Sequence, residues 1–298
     1  MQTLRMEQEM PKIAVITDSD CSLSAEIKTK YQIRTVPISI NFGTESYLDG
    51  IQINDKELFE RIDREKKLPT TSAPSTGQFS RAFQTAFDDG YESIICLCVS
   101  SEVSATYSAA LGAKEMVGGD ISVIDTRSLS MGEGFMVLAA AESVQKGESK
   151  EAAMAAAMDI GNRVKYYGAL STLKYLAMSG RVGHLAAGMA GLLNIQPILT
   201  IRNGKLEMLE KVRTRKKALA RLIELAQEAV LTNEPGKYKS IARMALVHVN
   251  ALDELKEFEG QLRSAISCPE EIMICELGPG LSVHSGSGLI AVAIVTEK

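Results

Sequence analysis

Apolar residues fall along this chain in short runs that end abruptly in hydroxyls and carboxylates. Lys12 to Ser19, Ser93 to Val99 and Ile121 to Thr126 each read as a buried strand closing on polar side chains. The middle run is followed by Ser100, Ser101, Ser104 and Thr106, with Ser104 placed to cap a helix that continues to about Val117. In an open parallel sheet, ligands sit beyond the carboxyl ends of strands, where helix N-termini offer unpaired N–H groups to an anion. The turn at Ser104 is therefore a candidate anion site, although the same hydroxyls would serve as ordinary helix caps.

Between these runs the spacing changes to that of amphipathic helices. Helices are expected over about Ser22 to Tyr31, from an Asn54 cap through Arg64, and from a Ser75/Gln78 capping box to about Asp89. Two more are expected from Ser130 to Lys146 and from Ser149 to Arg163, the second with Ser149 as a simple cap. Ile33 to Phe42 is an apolar run, Gly43 to Gly50 a polar loop carrying Tyr47 and Asp49, and residues 65 to 75 a connection ending in clustered hydroxyls. Strands separated by single helices imply right-handed βαβ units and a parallel sheet for residues 12–163.

Beyond that boundary the pattern is mixed. A helix is expected from Leu170 to Met178, stopped by Gly180, and a glycine- and alanine-rich segment, Gly183 to Leu193, leads to a strand from Ile195 to Arg202. Asn203-Gly204 is a strong hairpin signal, so Lys205 to Val212 should pair antiparallel with that strand. A helix from Thr214 to about Leu231, strand Arg243 to Val249, helix Leu252 to Ile266 and strands Glu271 to Glu276 and Leu289 to Thr296 complete an α+β domain over residues 164–298. The expected fold class is α/β with two domains.

Composition narrows the function. The chain has 298 residues, 45% of them hydrophobic, enough to bury a substantial core, and no Trp. Its 13 Met leave room for an adaptable apolar cavity, although Met more often fills gaps in an ordinary core. Net charge is -4, with Lys and Arg scattered apart from Lys211 to Lys217, so no nucleic-acid footprint is expected. Met1 to Met10 has no apolar core of a signal peptide, and no run approaches the roughly 20 apolar residues of a membrane span. The five cysteines show neither a C-x-x-C pair nor an even disulfide framework; together these features lead to the expectation of a cytoplasmic protein without stable membrane insertion.

Familiar catalytic signatures are missing. No phosphate-binding G-x-x-x-x-G-K-[ST] loop, G-x-G-x-x-G turn or G-x-S-x-G elbow occurs, and the three histidines have no zinc-ligand spacing, so neither metal nor cofactor is expected. His284 lies in a glycine-rich stretch, Gly278 to Gly288, expected to be a loop in which backbone and imidazole both approach a ligand. His184 and His248 suit helix and core positions better. Ser104 and His284 could serve as a nucleophile and base in a small-molecule hydrolase or phosphotransferase, or equally hold an anion.

An ordered set of motifs resembles the DegV family of fatty-acid-binding proteins from Ile13 to Val295. They are Thr17-Asp18-Ser19, Tyr47-Leu48-Asp49-Gly50, Pro69-Thr70-Thr71-Ser72-Ala73-Pro74-Ser75, Ser100 through Tyr107, Gly180-Arg181-Val182 and the glycine stretch around His284. The resemblance implies a long-chain fatty acid in an apolar tunnel between the two domains. By that likeness Thr71, Ser72, Ser104 and His284 would hold the carboxylate, and Arg181 and Arg213 would be basic positions at the tunnel mouth. It further implies a partner, a fatty acid kinase subunit that converts the presented carboxylate to an acyl phosphate, so that this chain would not itself be the enzyme. The sequence departs from the family pattern at Ala73, usually Gln, at Ala105, usually Gly, and at Ser285-Gly286-Ser287-Gly288, usually Thr-Gly-Pro-Gly.

Overall fold

A wholly parallel sheet and a mixed sheet carry the chain in a computed structural model that describes residues 12–181, 195–231 and 239–298. The segment Gly183 to Leu193, with His184, as well as Val182 and Met1 to Met10, lies outside the described residues. In order, β1 (Ile13–Asp18) leads through a 3-10 turn, Ser19–Cys21, to α1 (Ala25–Lys30), β2 (Arg34–Val36), β3 (Ser39–Phe42), β4 (Glu45–Leu48), α2 (Asp55–Glu65) and β5 (Thr70–Ser72). Then follow α3 (Thr76–Asp88), β6 (Ser93–Cys98), α4 (Thr106–Val117), β7 (Asp120–Asp125), α5 (Met131–Gln145) and α6 (Lys150–Arg163). The remainder comprises β8 (Val164–Ala169), α7 (Lys174–Met178), β9 (Gln196–Arg202), β10 (Lys205–Val212), α8 (Arg215–Ala229), β11 (Ile241–His248), α9 (Leu252–Ala265), β12 (Met273–Glu276), α10 (Pro279–Ser285) and β13 (Ile290–Thr296).

The first sheet has the order β2-β1-β6-β7, every pair parallel. All six residues of β1 and of β6 are buried, as expected of parallel strands covered on both faces. Phe79 and Phe83 of α3 and Ala110 and Ala113 of α4 pack on Ile94, Cys96 and Cys98. On the other face, Val15, Ile95 and Leu97 join a core with Phe135 of α5 that also takes in Ala245 of β11 and Ala291 and Ala293 of β13. Helix α5 is apolar around nearly its whole circumference because both sheets cover it.

The second sheet runs β10-β9-β8-β13-β11-β12, antiparallel except for β11 with β12. Strand β13 shows the period-2 logic: Ala291, Ala293 and Val295 face the α5 core, while Ile290, Val292 and Ile294 pack with Leu222 of α8 and Phe258 of α9. Asn203 and Gly204 take positive φ of 51° and 81°, giving the expected two-residue hairpin between β9 and β10.

Several expectations are corrected. Pro37, which lacks an N–H, interrupts the apolar run Ile33 to Phe42; β2 stays in the parallel sheet and β3 turns into a small sheet of order β4-β3-β5. Half of the expected loop Gly43 to Gly50 is strand β4, and Thr70–Ser72 near the end of the 65–75 connection is strand β5. Strand β8 has no boundary signal in the sequence, since α6 runs into it with no glycine or proline between. The helix after it shrinks to Lys174–Met178. Ser22 takes a left-handed φ of 53°, delaying α1 to Ala25. The expected glycine loop around His284 holds a short helix, α10, started by Pro279 at the position where its missing N–H costs nothing.

Candidate functional site

Helix α10 is the element on which the site turns. Its N-terminal backbone is held by acids of the N-terminal region: Gly278 N–H donates to Asp55 Oδ2 at 3.4 Å, and the Gly280 N–H donates to the Asp49 carboxylate. Ser19 donates to Asp49 Oδ2 at 2.6 Å, completing that anchor. One turn along, the helix presents His284 toward β5, where His284 Nε2 lies 3.1 Å from Thr71 Oγ1.

Strand alternation decides which hydroxyl of the Thr70-Thr71-Ser72 cluster meets the imidazole. Thr71 pairs with Ile40 in β3 and faces His284. Ser72 is exposed, accepts from Asn41 Nδ2 at 2.8 Å and does not line the cavity. At the other strand end, Ala105 is the N-cap of α4, and Ser104 stands one residue earlier. Ser104 Oγ accepts from Thr106 N at 3.3 Å and lies 2.8 Å from Thr106 Oγ1. Ser100 and Ser101 have separate structural partners, donating to Gly204 O at 2.7 Å and Asp125 Oδ2 at 2.5 Å.

Thr71, Ser104 and His284 line one cavity between the two sheets. Its empty volume, open mouth included, is about 1040 Å³, at the upper end of the roughly 300–1,000 Å³ usual for ligand pockets. The walls include eight leucines, among them Leu170, Leu199, Leu206 and Leu281, with Ile38 and Val103 beside them. No Met lines it among the described residues. Arg181 stands exposed at the rim. Arg213 is exposed between β10 and α8 and does not line the cavity. An outer recess bordered by Lys66, Lys67, Met178 and Arg181 shares Thr71 and His284 with the cavity.

Burial, with a smaller effect from Arg181, pushes the His284 imidazole down to about 4. The ring is neutral near pH 7 and offers one donor and one acceptor. Its Nδ1 is buried without a hydrogen-bond partner among the described residues. Behind α10, burial raises Asp49 to about 6 and Asp55 to about 7, and raises Asp18 to about 7 against hydrogen bonds from Val99 N and Asp20 N. Asp20 and Glu133 are raised well above the usual carboxyl range, again first by burial. Among the described residues no group of acids, cysteines and histidines is arranged to hold a metal ion.

Asp20, Lys66, Lys67 and Tyr166 were not singled out from the sequence. Only Asp20 had a signal, as the neighbour of the Thr17-Asp18-Ser19 strand end. His248 is a core residue, 5% exposed.

A model of the DegV family, described as uncharacterised proteins, matches residues 12–297, and the chain belongs to that family. A DegV domain-containing protein of Halalkalibacterium halodurans is 32% identical over 291 residues, covering 97% of this chain and all of the relative. A Thermus thermophilus DegV family structure, described by its fatty acid binding, superposes with a TM-score of 0.87 at 27% identity, covering 96% of this chain and 100% of the other. Bacillus subtilis DegV, described as a fatty acid binding protein, gives a TM-score of 0.86 at 28% identity, covering 96% and 100%.

Proposed function

We propose that this DegV family member binds a long-chain fatty acid in the cavity between its sheets and presents the carboxylate to a separate ATP-dependent kinase, which forms the acyl phosphate. One observation carries the reading: a large leucine-lined cavity whose hydroxyls, imidazole and guanidinium gather around Thr71, Ser104, His284 and Arg181. Burying about 15 methylenes at roughly 0.8 kcal/mol each offers ~12 kcal/mol before binding costs, so the head group need not supply the affinity.

The hydroxyls of Thr71 and Ser104 and a neutral His284 then orient the carboxylate by hydrogen bonds. Because Thr71 and His284 border both the cavity and the recess with Lys66, Lys67 and Arg181, the head group is within reach of a partner docking from outside. Presentation rather than sequestration alone is the reading this arrangement favours. On this proposal the phosphoryl chemistry belongs to the kinase, and this chain's part is to hold and orient.

A hydrolase or phosphotransferase built on Ser104 and His284 has less support. The imidazole is paired with Thr71, the Ser104 hydroxyl with Thr106, and a histidine pushed down to about 4 is a weak general base near neutral pH. Native mass spectrometry of the purified protein, followed by denaturation and identification of the released molecule, tests the proposal. A stoichiometric adduct of fatty-acid mass is expected. No adduct, together with failure to take up added hexadecanoic acid, overturns it.

A further inference from the structure

Among the described residues, and apart from the head-group cluster, three polar side chains line the cavity: Tyr166, Ser285 and Asp20. Two of them are engaged within the protein. The Tyr166 hydroxyl bonds with Ser130, and Ser285 donates to Gly286 O at 3.3 Å. Asp20 is different: it is 6% exposed, and its Oδ1 has no hydrogen-bond partner among the described residues. The charged groups that bear on it are the acids Asp18 and Asp49, which cannot neutralise a carboxylate.

From these contacts we infer that Asp20 makes the cavity selective for an acyl ligand bearing an oxygen function, a hydroxyl foremost, within the first several carbons beyond its carboxyl group. The inference rests on the fatty-acid reading above. Its placement follows from α10. A Cβ built on Gly280 would stand 2.5 Å from Asp20 Oδ1, so that oxygen lies beside the first turn of the helix. His284 is four residues further on, a rise of about 6 Å at 1.5 Å per residue. A chain whose carboxylate meets His284 and Thr71 therefore passes Asp20 a few carbons later.

A plain alkyl chain laid against that carboxyl leaves a buried polar group unpaired, which a site built around the group disfavours. A hydroxyl removes the mismatch whichever protonation state Asp20 holds. It donates to a carboxylate and accepts from a carboxylic acid, and a neutral Asp20 surrounded by Asp18 and Asp49 has the O–H to give.

Competition binding on the delipidated full chain tests this, with hexadecanoic acid and monohydroxyhexadecanoic acids substituted at each of the first several carbons. At least one hydroxy isomer should bind about tenfold more tightly than hexadecanoic acid. Asp20→Leu, which keeps the branched shape without the oxygens, should bind hexadecanoic acid more tightly than the wild type and lose the preference, whereas Asp20→Asn, which can still pair, should retain it. Circular dichroism melting confirms folding of each variant, and Asp20→Ala replaces Asp20→Leu should the latter not fold. If hexadecanoic acid binds as well as every isomer, or the preference survives in the apolar variant, the inference falls and the fatty-acid reading stands. If neither plain nor hydroxylated acid binds, both fall.

Discussion

Thr71 Oγ1 and His284 Nε2 lie 3.1 Å apart although 213 positions separate them in the chain. The pair forms only when α10 docks on β5, and α10 docks through backbone bonds to Asp49 and Asp55 at its start. The head of the cavity is thus built by an interface between the N-terminal and C-terminal parts, which ties its geometry to the packing of one seven-residue helix.

Removing the hydroxyls should alter head-group selection more than chain retention. Thr71→Ala with Ser104→Ala is expected to reduce the preference for hexadecanoic acid over hexadecanol by roughly 2 kcal/mol or more, since hydrogen bonds to a charged group contribute about 1.5–3 kcal/mol each. Titration calorimetry with both ligands measures this. An unchanged preference would remove these residues from carboxylate binding.

Gly280→Ala should disturb the site without replacing any of its polar side chains. A Cβ there would stand 2.5 Å from Asp20 Oδ1 and 2.8 Å from Asp49 Oδ2, so α10 or the acids must shift. Overpacking of this kind costs about 1–3 kcal/mol. Urea unfolding should show that loss, and fatty-acid affinity should fall with it as His284 moves away from Thr71.

The buried acids give stability a defined pH dependence. Asp18 and Asp55 are raised to about 7 and Asp49 to about 6, whereas unfolded Asp titrates near ~3.9. Between those limits the folded state holds protons that the unfolded state lacks, so stability falls as pH rises, by about 1.4 kcal/mol per pH unit for each such group. His284 acts oppositely: its folded value of about 4 lies below the ordinary 6.5, so its contribution is lost as pH falls through that window. With Asp20 and Glu133 raised as well, five buried acids stand against two lowered histidines, His284 and His248, and leave a net decline as pH rises toward 6. Urea unfolding across this window should show a shallower decline for Asp55→Asn.

Thiol reactivity should single out one residue. Cys21, Cys96, Cys98 and Cys275 are buried, and burial pushes Cys21 up to about 11 and Cys275 up to about 12. Cys268 is only half-buried. Iodoacetamide on the native protein should label Cys268 first, and the other four only after unfolding, as read by peptide mass mapping.

Local chemistry announced much of the fold. The Asn54 cap, the Ser75/Gln78 capping box, the Asn203-Gly204 turn and the apolar run Ile94 to Cys98 of β6 lie where their residues require. The misses share a cause. Strands β4 and β5 are polar and short because a three-stranded sheet at the protein's edge needs few apolar positions, and β8 follows a helix without a breaking residue. Helix α10 contains Gly280 and is flanked by Gly278 and Gly286, which suggest a loop to any local rule; contacts with Asp49 and Asp55 hold it helical.

By itself the sequence determined the α/β class, most elements and the candidates Ser104 and His284, because periodicity, caps and turns act over a few residues; Thr71 stood out only through the resemblance to the DegV family. Only the tertiary structure decided that Thr71 and His284 meet, that Ser72 faces Asn41 instead, that Arg181 reaches the cavity rim and Arg213 does not, and that Asp20 enters the wall. Those outcomes depend on which face of a strand or helix is turned toward a partner far outside its own local stretch. Side-chain alternation in β5, and the docking of α10 against acids of the opposite region, set them.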